Sequence, residues 1–136
     1  MAATLKLEIV TPEAKIFSED VEMVSLSGID GDMGIYPDHM PLMTQLVAGE
    51  VIARKNFADI SLAVGDGFVQ VTKDRVAILT DMAIKAEDID EAKATEAIQR
   101  AEARLAQKLS DEEAATVQAA LVHATTQLKV KRHHKK

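Results

Sequence analysis

Few residues in this 136-residue chain have the types and spacing that chemistry needs. His39 stands beside Asp38, between Pro37 and Pro41, as the one histidine-carboxylate neighbour pair in the first half. General acid/base work needs two groups converging on a pocket, and a lone His beside a carboxylate in a turn is more often structural. Asp30-Gly31-Asp32-Met33-Gly34 has the opening of a calcium loop, yet it lacks a ligand at the fifth place and carries Pro41 where the bidentate Glu belongs. Gly65-Asp66-Gly67-Phe68-Val69-Gln70 lacks the third glycine of a dinucleotide cradle and falls between two strand-like runs. There is no G-x-x-x-x-G-K-[ST], no G-x-S-x-G elbow and no H-E-x-x-H. The expectation is therefore no catalytic residue and no metal site.

Two clusters remain. In the stretch 28–41 three glycines and two prolines restrain a loop that carries Ile29, Met33, Ile35, Tyr36 and Met40, with the chain's one tyrosine among them. Apolar and Tyr side chains on a rigid loop either form a binding surface or cap the open end of a core. The stretch 128–136, LKVKRHHKK, holds Lys129, Lys131, Arg132, Lys135 and Lys136 without an acid. Taking those five cations from the formal net charge of −6 leaves −11 on the rest, so the molecule is polarised. A helix C-terminus accounts for about two of them through the macrodipole. The surplus points to an acidic partner surface, with His133 and His134 adding charge at lower pH. The overall acidity and four aromatics argue against nucleic acid as a partner.

Positioning these residues falls to two regions of different composition. All six glycines and all three prolines lie at or before Gly67. Alternation over 4–10, with Leu5, Leu7 and Ile9 on one face, is the period-two pattern of a half-buried strand, and 21–27, 43–47, 51–54, 60–64, 68–72 and 75–80 read similarly. Many short strands with close turns predict a sandwich or flattened barrel over 1–85. After Asp81 the chain becomes rich in Ala, Glu, Lys, Gln and Arg, the good helix formers. Asp88 with Glu91, and Ser110 with Glu113, mark helix starts, giving helices over about 89–109 and 111–130. One seam runs through Ala94, Ile98, Ala101, Leu105 and Leu109, the other through Ala114, Val117, Leu121, Ala124 and Leu128. Two single-seam helices on a short link form an antiparallel hairpin, here over 86–136. Half-alanine seams bury little, so the hairpin is expected to detach. The fold class is thus α+β, an all-β sandwich followed by a helical hairpin. No run of about 18 apolar residues and no secretory-signal pattern occurs, which leads to an expected place in the cytoplasm or on a membrane's cytoplasmic side. With no Cys, the redox compartment cannot be read.

The segments Gly31-x-x-Gly34-Ile35-Tyr36-Pro37-x-His39-x-Pro41-Leu42, Gly65-x-Gly67-Phe68-x-x-Val71, 76–83 and Ile89-Asp90-Glu91-Ala92-Lys93-Ala94 make the chain similar to the epsilon subunits of bacterial-type F-type ATP synthases, over about 5–130. The resemblance implies a non-catalytic central-stalk subunit on the cytoplasmic face of the bacterial inner membrane. In that family the sandwich clamps the gamma subunit and rests on the c-ring, and the hairpin folds on the sandwich or extends into the alpha/beta catalytic head to block ATP hydrolysis. It makes Asp32, Met33, Gly34, Ile35, Tyr36 and His39 the interface candidates, Asp32 as the charged contact and Tyr36 as the packing one. The cationic residues from Lys129 to Lys136 would meet acids of a catalytic beta subunit. Some members bind ATP through an Ile/Leu-Asp-x-x-Arg-Ala motif. Here Ile89, Asp90 and Ala94 match, but Lys93 replaces the Arg, and His123 and Gln127 stand where basic residues are carried on the second helix. A point charge in place of a planar fork implies weak or no ATP binding and no cofactor. The competing readings are a small-molecule-binding sandwich with a helical lid, which needs a cavity of roughly 300 Å³ in the sandwich, and a small hydrolase at Asp38 and His39.

Overall fold

The computed structural model describes residues 3–134. Ten strands form first: β1 (Leu5–Val10), β2 (Lys15–Val21), β3 (Met23–Gly28), β4 (Gly31–Ile35), β5 (Leu42–Leu46), β6 (Gly49–Lys55), β7 (Ala58–Val64), β8 (Gly67–Val71), β9 (Arg75–Thr80) and β10 (Ala83–Lys85). A 3-10 turn at Ala86–Asp88 leads to α1 (Glu91–Leu105) and α2 (Asp111–His134). The strand order is β10-β7-β6-β3-β5-β8-β9-β1-β2, with β4 on β3. Every pairing is antiparallel except that of β1 with β9. Strand β3 joins β5 through one residue pair, Gly28 with Leu46, and there the ladder turns from one layer to the other. The result is a sandwich rolled into a nearly closed barrel, consistent with Lys55 of β6 reaching Glu19 of β2 at 2.6 Å.

Alternation supplies the core. Leu5, Leu7 and Ile9 of β1 face Val76 and Ile78 of β9, Val69 and Val71 of β8, Phe17 and Val21 of β2, and the inward residues of β3, β6 and β7. Three of the ten strands escape a reading by period. In β2, KIFSEDV, polar and charged residues fill four of seven places, and pairing with β1 makes the strand. Strand β4 lies inside what reads as a loop, because its two glycines hide a hairpin in which Ile35 pairs with Val24 and Gly31 with Gly28. Gly31 sits there at φ +124°, a backbone conformation that disfavours any side chain. Strand β10 has three residues, too few for a pattern. At the β6–β7 tip Asn56 (φ 54°) and Phe57 (φ 66°) make the mirror-image turn whose twist matches the flanking strands.

The helices start and stop differently from the reading by composition. The first begins at Glu91, with Asp90 as its N-cap accepting from the Lys93 N–H at 3.1 Å. Asp88 instead belongs to the 3-10 turn, so the Asp88–Glu91 box is not the cap. The helix ends at Leu105, and 106–110 form the link. The second start follows the expected box, with Ser110 Oγ accepting from the Glu113 N–H and Glu113 Oε1 accepting from the Ser110 N–H. α2 then continues past 130 to His134, so Lys129, Lys131 and Arg132 are on a helix rather than in a trailing segment. Lys135 and Lys136 lie outside the described residues.

Candidate functional site

The six interface candidates do not share one surface. Ile35 is buried in the sandwich core and Met33 packs partly against it, so Ile35 offers its side chain to no partner. Asp32 is exposed, and its Oδ1 accepts from Ser27 Oγ at 3.0 Å, which holds the carboxylate beside the β3–β4 turn. Gly34 is exposed, with Met23 and Tyr36 bordering the place a Cβ would take. Tyr36 stands 60% exposed just beyond β4. His39 does not pair with Asp38. Its Nδ1 donates to the Met40 carbonyl at 2.7 Å, while Asp38, at φ 67°, donates its N–H to the Lys73 carbonyl. Asp38 therefore pins the turn against the β8–β9 end of the sandwich, while His39 braces the turn itself.

A second surface escapes sequence reasoning. On the outward face of the other layer, Met43 (68% exposed), Phe68 (57%) and Leu79 (53%) lie close together. Phe68 pairs with Leu79 across β8 and β9, Leu79 pairs with Val10 of β1, and Met43 stands diagonal to Phe68 on β5. The result is an apolar strip crossing four strands, with Met40 exposed at its approach. The signal is present in the sequence as large apolar residues on the wrong phase of strands whose other phase, Val69 with Val71 and Val76 with Ile78, is already apolar. Contiguous outward apolar residues of this kind mark contact sites.

The hairpin lies on the opposite layer. A second, small core of Ala63, Ala86, Ile89 and Val130, with Met82 and Ile84 at its edge, joins α2 to the sandwich. Between the helices Ala94, Ala101 and Ala124 are buried, while Ile98, Leu105, Val117, Leu121 and Leu128 are only half-buried. Polar ties surround the contact: Lys131 Nζ donates to the Ala86 carbonyl at 3.0 Å, Arg132 Nε meets Glu91 at 3.1 Å, His123 Nε2 meets Asp81 at 3.1 Å, and His133 Nδ1 meets Glu50 at 2.9 Å. Two of the basic residues that suggested a free cationic end thus already touch this chain.

The residues matching the nucleotide motif have structural employment. Ile89 is in the small core, Asp90 caps α1, Ala94 is in the helix seam, and Lys93 is exposed. A cleft of about 720 Å³ runs between α2 and the β5–β6 connection, bordered by Glu50, Asp66, Gln118, Leu121 and Lys129. It lies outside the sandwich core. Among the described residues no group of three or more His, Asp or Glu is placed to hold a metal ion. Two carboxyls titrate below the usual range. Glu8 does so because Lys15 hydrogen-bonds it and Arg75, Lys15 and Lys6 add positive charge, outweighing partial burial. Glu113 does so through its two bonds with Ser110 and the nearby Arg104.

The fold and surfaces define a class first: a β-sandwich with an outward apolar strip, carrying a two-helix arm on a small separate core. The family follows from comparison. The model of the ATP synthase delta/epsilon chain beta-sandwich domain matches residues 4–86, and that of the delta/epsilon chain long alpha-helix domain matches residues 87–132. An ATP synthase epsilon chain of Dehalococcoides mccartyi (strain CBDB1) is 47% identical over 135 residues, covering 98% of this chain and 96% of its own. One from Desulforamulus reducens is 40% identical over 129 residues, covering 95% and 98%. A chain in the solved Euglena gracilis mitochondrial ATP synthase has the same fold, with TM-score 0.73 and 23% identity over 91% of this chain and 79% of that one. The chain belongs to the ATP synthase delta/epsilon chain family.

Proposed function

We propose that this chain is a non-catalytic rotor subunit of an F-type ATP synthase. It links the gamma subunit to the c-ring through its sandwich and restrains ATP hydrolysis through its hairpin. The observation that carries the reading is the separation of the two cores. The sandwich fills its own interior, whereas the apolar core between hairpin and sandwich has four buried residues, two of them alanine. A rigid clamp with a weakly held arm is what coupling and braking require together. The strip of Met43, Phe68 and Leu79 is the surface assigned to gamma. Asp32 and Tyr36 remain the contacts assigned to the c-ring, and Lys129, Lys131 and Arg132 meet acids of the alpha/beta head once the arm is released. The subunit works at the cytoplasmic face of a bacterial membrane, held there by the complex; no helix among the described residues is long and apolar enough to cross a membrane.

ATP binding by the isolated chain is weak or absent, since Asp90 is engaged as a cap, Lys93 lacks the bidentate fork and His123 is paired with Asp81. Micromolar affinity in isothermal titration would overturn that statement. The main test is ATP hydrolysis by the catalytic head depleted of this subunit, with either the full chain or a chain ending at Lys85 added back. The full chain is expected to rebind and slow hydrolysis, and the shortened one to rebind without slowing it. Failure of both to bind removes the reading.

A further inference from the structure

Seen along α2, His123, Thr126, Val130 and His133 follow one another at steps of three, four and three, which puts them on a single face of the helix. That face is the one laid on the sandwich, because Thr126 and Val130 are buried and Val130 joins the small core. The stripe is buried in the middle and carries an imidazole at each end, and each imidazole meets a carboxylate of the sandwich. We propose that His123 and His133 form a pH-responsive clasp, holding the hairpin on the sandwich when protonated and loosening it when neutral.

Of the two rings, that of His123 is the more sheltered. Its side chain is 28% exposed, and Gly65 passes so close that a Cβ there would collide with Asp81 Oδ1 and come within 3.2 Å of His123 Nε2. The Asp81 side chain is 51% exposed, so its carboxylate has room to turn aside. At the other end His133 is 63% exposed, so water screens it more and its share is smaller. The charged groups facing the stripe are largely acidic. The sandwich supplies Asp81, Glu50 and, on the border of the neighbouring cleft, Asp66. Below the helix end lie Glu19, Asp59 and Glu87 with Lys85, beside His134. Of the cations on α2 itself, Lys131 is bonded to the Ala86 carbonyl, Arg132 is paired with Glu91 from α1, and Lys129 borders the cleft.

The sign follows from linkage. A protonated imidazole gains an ion pair in the docked state and only water in the released one, so protons bind the docked state better. The contribution is present where the imidazoles carry charge and is lost where they do not. The clasp concerns docking alone and stands whatever the released hairpin does to hydrolysis, so it is read on the isolated chain.

The sequence has no cysteine, so Ser18→Cys on β2 and Ala119→Cys on α2, both at exposed positions, give a unique pair of sites for donor and acceptor dyes. Energy transfer in urea follows release of the hairpin, while amide resonances of β1 and β9 follow the sandwich. Between about pH 8 and about pH 5.5 the release equilibrium is expected to shift about fivefold toward docking, roughly two- to threefold for each pair. His123→Gln with His133→Gln should behave at both values as the unaltered chain does at the higher one. Asp81→Asn with Glu50→Gln, which keeps both rings, should flatten the response equally. The clasp is overturned if release is the same at both pH values, if either double variant keeps the response, or if hairpin and sandwich come apart in one transition throughout.

Discussion

The sandwich and the hairpin bury apolar surface by different means. In the sandwich seventeen buried residues from nine strands form one cluster, mostly Leu, Ile and Val. In the hairpin the fully buried positions between the helices are alanines, and a further four residues hold the pair to the rest. Burial stabilises by about 0.8 kcal/mol per methylene-sized group, so an alanine seam gives each helix far less than a strand of leucines receives. One chain therefore contains a part whose form resists its partners and a part whose position is open to adjustment. The difference lies in side-chain volume, since helices pair their backbone groups internally and strands pair theirs across the sheet.

The largest effect should come from a cavity in the sandwich. Ile78→Ala empties a fully buried site between β1 and β8, and a loss of about 2–5 kcal/mol is expected, seen as a lower melting temperature of the whole chain. A loss confined to the hairpin would break the comparison. Next, overpacking sharpens it within the arm. Ala124→Leu adds three carbons at a buried position and should weaken helix packing by about 1–3 kcal/mol. Ala101→Leu borders a cleft of about 210 Å³ lined by Ala97, Val117 and Ala120, so the added carbons find room. Its cost should stay below that of Ala124→Leu in the same urea titration of hairpin release.

Ser110→Ala removes the cap of α2 and should cost about 1 kcal/mol, read as lost helix signal with the sandwich resonances unmoved. It should also let the Glu113 carboxyl titrate nearer its ordinary value, since the Ser110 side chain is the largest cause of its depression, while the bond from the main-chain N–H at position 110 remains. The smallest effect concerns Glu8, whose carboxylate is held by Lys15 and Arg75 at 3.0 and 2.9 Å. Because that carboxyl is depressed in the folded state, its contribution is present above the ordinary glutamate range and is lost as pH falls through the depressed value. Glu8→Gln should flatten the acid side of the sandwich's stability profile and leave hairpin release at the same pH unchanged.

What sequence reasoning captured follows local pattern. Strands with clean alternation, such as β1 and β9, and the Ser110–Glu113 box need only neighbours along the chain. Strands β2 and β4 needed a partner to be recognised, because mixed polarity in one and glycine in the other erase the period. The contact residues divide in the same way. Tyr36 is exposed and Ile35 buried although they are adjacent, since a strand sends neighbours to opposite faces once its pairing is set. The strip of Met43, Phe68 and Leu79 is assembled from three strands and has no existence in any one of them.

The amino-acid order by itself determined that a glycine-bearing region of short strands precedes an alanine-rich helical one, and that the helices meet along a narrow seam. Those features depend on periodicity, turn residues and caps, all of which act within a few residues. Tertiary structure alone decided which face of α2 turns to the sandwich, and so why His123 and His133 find carboxylates and Lys131 and Arg132 are engaged within the chain. A helix with apolar residues toward α1 and a second stripe toward β6 and β7 can be oriented only by the surfaces it meets, because helical spacing fixes which residues share a face and leaves open what that face will cover.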